Sequence, residues 1–96
     1  MGVNISIVDM RTGQDVPGWD WGRFAGDSQV GPILWALPHT SVTRGGPMDE
    51  WVCQRPDDIE AFRLALHTAL PDNTDRWDCM CDMLAADPNR GLYFVW

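Results

Sequence analysis

The chain has 96 residues, 45% of them hydrophobic, and a formal charge of −7 made by fourteen acidic residues against seven Arg with no Lys. That length fits one domain, residues 1–96, and the hydrophobic share excludes a disordered chain. A pI of 4.4 without Lys disfavours direct nucleic-acid binding, because cationic neutralisation of phosphates supplies most of that affinity.

The charge is unevenly placed. Between Asp49 and Asp87 lie ten acids and three Arg, which account for the whole net charge, while the remainder is balanced. No apolar run approaches the ~20 residues of a membrane span. The opening residues have neither a basic segment nor a long apolar one, so no secretory signal is expected. Three cysteines without framework spacing point to free thiols in a reducing cytoplasm.

In chain order, Val3, Ile5 and Ile7 alternate with Asn4 and Ser6, which predicts a half-buried strand over 3–9. A turn follows at Gly13. The aromatic, glycine-punctuated stretch from Asp15 to Asp27 reads either as a short helix or as a packed loop. Ile33 to Leu37, between Pro32 and Pro38, is expected as a short edge strand or an apolar loop. His39 to Pro47 reads as loop, and Trp51–Cys53 as another short strand.

Two helices come next. Pro56 suits a first helical position, with Asp57, Asp58 and Glu60 placed where the helix dipole favours anions. In this helix, over 56–69, Ile59, Phe62, Leu66, Ala69 and Leu70 share one face. Pro71 closes it, and Asp72 or Asn73 caps the next helix, over 74–86. There Trp77, Met80, Cys81 and Leu84 recur at i, i+3, i+4 and i+7, with Asp75, Asp78 and Asp82 roughly opposite. The chain finishes in Leu92-Tyr93-Phe94-Val95-Trp96, a β-prone strand apolar on both faces. Leu92, Phe94 and Trp96 can face the helices. Tyr93 and Val95 then need cover from the Trp-rich segment 19–37 or from a second subunit.

The expected fold is therefore α+β, a small antiparallel sheet with two helices packed on one face. The N- and C-terminal strands should be neighbours. The helices should bury Ile59, Phe62, Leu66, Trp77, Met80, Cys81 and Leu84 against Ile5, Ile7, Phe94 and Trp96.

Catalytic chemistry finds no support. Cys79 and Cys81 project ~200° apart on a helix and cannot grip one metal. Cys53 shows no activating neighbour and reads as a buried structural thiol. No phosphate-binding glycine loop is present, and segment 72–78 lacks the pattern of a calcium loop. No enzyme activity, metal or cofactor is expected.

The candidate sites are surfaces. Asp57, Asp58, Glu60, Asp75, Asp78 and Asp82 would form an acidic helix face, whose plainer reading is a solvated surface that maintains solubility. Leu64 points away from the core, as an exposed leucine often does, and would serve as a partner anchor. Trp19, Trp21 and Arg23 form either core or an interface patch.

The string Trp19-Asp20-Trp21-Gly22-Arg23-Phe24-Ala25-Gly26-Asp27, with the opening Gly2-Val3-Asn4-Ile5-Ser6-Ile7, resembles small uncharacterised bacterial and phage proteins over about the first 27 residues. That resemblance brings no activity with it. By analogy of size and charge, the favoured expectation is a non-catalytic binding protein. It would be a phage-type anti-defence inhibitor, anti-CRISPR-like, or an immunity-type protein that blocks a basic and nucleic-acid-binding surface of a partner. The alternative is a small structural or assembly subunit that forms a homodimer through its Trp-rich apolar surface.

Overall fold

A computed structural model describes residues 4–18, 28–45 and 50–95. Strand β1 (Asn4–Asp9) pairs antiparallel with strand β4 (Arg90–Val95), so the first and last strands are neighbours. In that register Ile5 lies opposite Phe94 and Ile7 opposite Leu92. Because side chains alternate across a strand, these four share one face of the sheet. Strands β2 (His39–Arg44) and β3 (Trp51–Pro56) form the second antiparallel pair. The sheet order is β1-β4-β3-β2.

The helices are α1 (Val30–Trp35), α2 (Ile59–Ala69) and α3 (Thr74–Ala85), with a 3-10 turn at Pro71–Asn73 joining the last two. Together they cover the Ile5/Leu92 face. Phe62 and Leu66 of α2, Trp77, Met80, Cys81 and Leu84 of α3, and Val30 and Leu34 of α1 are fully buried there with Ile5, Ile7 and Leu92. Ile59 and Phe94 pack against the same core. The buried Trp77 indole N–H donates to the Leu70 carbonyl at 3.3 Å, which satisfies a polar atom that burial would otherwise penalise. The α+β fold and the face assignments of both longer helices thus agree with the hydrophobic pattern, except that Ala69, expected on the apolar face of α2, is exposed. Trp96 lies outside the described residues. Among those described, no helix is long and apolar enough to cross a membrane.

Three local expectations are corrected. Residues 33–37 are not an edge strand, because Val30–Trp35 is helical. Pro32 sits in the first turn, where the backbone N–H has no intrahelical partner to lose. Residues 39–44 are not loop but strand β2, in which Thr40, Val42 and Thr43 supply β-branched side chains. Pro56 ends β3 and does not start α2. The N-cap is Asp58, whose carboxylate accepts the Ala61 N–H at 3.1 Å.

The opposite face of the sheet has its own smaller cluster. Val8, Met10 and Cys53 are buried there, with Val42, Trp51 and Tyr93 packed on them. The cover for Tyr93 includes Trp51, whose ring lies 5.1 Å from the tyrosine centroid. The segment after β1 folds back along the free edge of that strand. The Asp9 N–H donates to Gln14 O and the Val16 N–H to Ile7 O. This occupies backbone groups that an open edge would leave available for pairing. Gly13 makes the turn with φ of +80°.

Gly91 of β4 is closely surrounded by Met10 and the Gln54 backbone of β3. A Cβ there would stand 2.6 Å from Met10 Sδ and 3.0 Å from the Gln54 carbonyl oxygen. We expect Gly91→Ala to destabilise the fold by about 1–3 kcal/mol, the cost of overpacking a filled site. Adding Met10→Ala should restore only part of the loss, because the Gln54 backbone cannot be trimmed. Urea denaturation of the three proteins measures both effects.

A candidate protein-binding face on the helix pair

Helices α2 and α3 hide their apolar stripes and turn Glu60, Arg63, Leu64 and His67 of one, and Asp75, Asp78, Cys79 and Asp82 of the other, outward or to the boundary. The face centres on Arg63. Its guanidinium donates to Asp78 Oδ1 at 3.0 Å and Asp82 Oδ1 at 2.7 Å across the helix pair, and to Glu60 Oε1 at 3.2 Å within α2. His67 Nε2 lies 2.7 Å from the same Asp78 oxygen. The hydrogen bonds to Asp82 and Asp78 raise the Arg63 pKa further above its ordinary value. In return Arg63, then His67, holds the Asp78 carboxyl below its ordinary 3.8.

This arrangement changes the picture of a uniformly acidic face. Asp78 and Asp82 are drawn into ion pairs with Arg63 and do not stand apart from it. One guanidinium against three carboxylates still leaves the cluster negative. Glu60 and Asp82 remain 74% and 71% exposed at their side chains, so the residual charge faces solvent. Leu64, one helical turn after Glu60 on α2, is 68% exposed. Asp75, Asp78, Cys79, Asp82, Met83, Ala86 and Arg90 line an open groove along α3.

The other expected residues divide. Asp57 accepts a hydrogen bond from the Thr40 hydroxyl at 3.0 Å, and Asp58 caps α2. Both therefore have structural duties at the start of the helix. Trp19, Trp21 and Arg23 lie outside the described residues. Arg63 was not among the expected site residues, although the pattern carries a sign of its role. Asp78 and Asp82 are four residues apart on one helix surface, a spacing that one guanidinium fork can span from a neighbouring helix.

The cysteines separate by burial. Cys79 is exposed while Cys53 and Cys81 are buried. Burial pushes the Cys81 thiol up to about 12, which leaves it an unreactive thiol at neutral pH. Among the described residues, no group of three or more His, Cys, Asp or Glu is placed to hold a metal ion. The fold and this face define a small α+β protein with a charged, solvent-facing helix pair. No family model, curated protein or solved structure matches the chain.

Two outcomes follow from this geometry. A thiol reagent at neutral pH should show a single fast phase that disappears in Cys79→Ser, with the buried thiols reacting only as the protein opens. The Asp78 carboxyl is depressed in the folded state, so its stabilising contribution is present above its unfolded value and is lost as pH falls through the lower folded value. Thermal melts between neutral pH and pH about 2 should therefore converge for wild type and Asp78→Asn at the acid end, with wild type the more stable above about pH 4.

Proposed function

We propose that this chain is a non-catalytic binding protein that captures and blocks a basic surface of a partner protein, in the manner of a phage-type anti-defence inhibitor or an immunity protein. The observation that carries this reading is the surplus of carboxylate around Arg63, set beside the exposed Leu64. A negative surface steers a cationic partner into encounter, and an exposed apolar side chain one helical turn from its Glu60 is suited to anchor the complex. Arg63 and His67 bridge the two helices, so the carboxylates are held in place before a partner arrives. Less side-chain freedom is then lost on association. The buried positions of Cys53 and Cys81 favour a structural over a nucleophilic role for both thiols.

The test neutralises charge without placing new cations next to Arg63. Glu60→Gln, Asp75→Asn and Asp82→Asn combined should weaken partner capture by about ten-fold at low salt while the circular dichroism spectrum stays unchanged. Leu64→Glu alone should weaken it through the anchor. Wild-type capture should fall as ionic strength rises. A partner held equally by wild type and the triple variant at every salt concentration refutes the proposal.

A further inference from the structure

Strands β3 and β4 are joined by one register pair, Gln54 opposite Leu92. Toward the start of β3 and the end of β4 a cleft of roughly 410 Å3 opens between them, lined by Trp35, Glu50, Trp51, Gln54, Tyr93 and Phe94. Its walls are two aromatic pairs. Trp51 and Tyr93 lie tilted at 56° to each other on one side, and Trp35 meets Phe94 at 66° on the other. The Trp35 indole N–H donates to Gln54 Oε1, and the Gln54 amide reaches Ser41 Oγ, so the ring and the amide hold each other in place. Trp35 is 42% and the adjacent Val52 40% exposed, which forms an apolar lip. Glu50, an exposed carboxylate, is the acidic group of the lining.

We propose that this cleft receives the guanidinium of an arginine side chain from a partner protein. Aromatic faces attract cations through their quadrupoles, and the planar, weakly hydrated guanidinium stacks on rings better than the compact ammonium of lysine. Glu50 supplies the opposite charge at the mouth, and the −7 of the whole chain favours the approach of a cation. A second copy of the chain is the less suitable occupant, because it would bring another −7 and a second Glu50 to the same lip. None of the acidic residues of α2 and α3 lines this cleft, so the inference goes beyond the binding face proposed above and can stand or fall without it.

The probe is a blocked Gly-Arg-Gly tripeptide titrated into the full chain, read from the Trp35 and Trp51 indole N–H signals by NMR and assigned with Trp35→Phe and Trp51→Phe. We expect saturable shifts of both signals with the arginine peptide and none with its citrulline counterpart, which has the shape without the charge. Glu50→Gln changes an exposed side chain, leaves the fold intact, and should weaken binding by about three-fold. The proposal is overturned if the arginine peptide moves neither signal, or if citrulline or lysine peptides bind as well as arginine. It is equally overturned if the shifts follow protein concentration, with a dimer mass by light scattering.

Discussion

The fold depends on a seam that backbone pairing alone does not close. Strands β1 and β4 are matched over their whole length, as are β2 and β3, but among the described residues the two ribbons share a single register pair. Arg55 spans the junction. Its Nη1 donates to the carbonyls of Leu84 at 2.7 Å, Asp87 at 3.0 Å and Arg90 at 3.0 Å. One β3 side chain therefore reaches the C-terminal end of α3 and the first residue of β4. Arg90 adds a bond from its own Nη1 to the Met83 carbonyl at 2.9 Å. Helix α3 has no basic residue in its last turn, yet its terminal carbonyls meet two guanidinium groups brought from elsewhere. That satisfies both the orphan acceptors and the negative end of the helix dipole. The two Nη1 protons of Arg55 are shared among its three carbonyls, and a charge-assisted bond of this kind contributes on the order of 1.5–3 kcal/mol, a substantial fraction of the stability of so small a domain.

A second arginine organises the α2–α3 surface. Arg63 holds Glu60, Asp78 and Asp82 together, and His67 shares the Asp78 oxygen. The two arginines differ in setting. Arg55 works against peptide carbonyls where burial lowers its pKa, with Asp87 opposing that shift. Arg63 works against carboxylates that raise its pKa. The first joins elements and the second sets the charge pattern of a surface.

Much of this architecture is legible in the residues. The 3.6-residue recurrence of Trp77, Met80, Cys81 and Leu84 predicts the buried face of α3, and the alternation of Ile5 and Ile7 predicts that of β1. The outward position of Leu64 is equally plain from its spacing. The misreadings have specific causes. Pro32 looks like a helix breaker until its place in the first turn is known, and β2 is polar enough to pass for loop because its Thr and Ser residues sit on an exposed edge strand. The contacts of Arg55, and those of Arg63 beyond its own helix, escape local reading. Those partners lie 29 to 35 and 15 to 19 residues away, and no periodicity reports contacts at that range. The aromatic cleft is hidden for the same reason, since Trp35, Trp51 and Tyr93 come from three separate elements.

The adjacency of β1 and β4 has a consequence for how the molecule comes into being. The strand beside β1 in the finished sheet, and beside β3 as well, is the last element described. A chain emerging from the ribosome has made both outer strands, β3 and the three helices among the described residues before the piece that unites them exists. Its apolar faces must wait for that final strand. Closure then joins residues as far apart as Asn4 and Val95, a loop whose ordering slows the approach to the native state relative to folds built from local contacts.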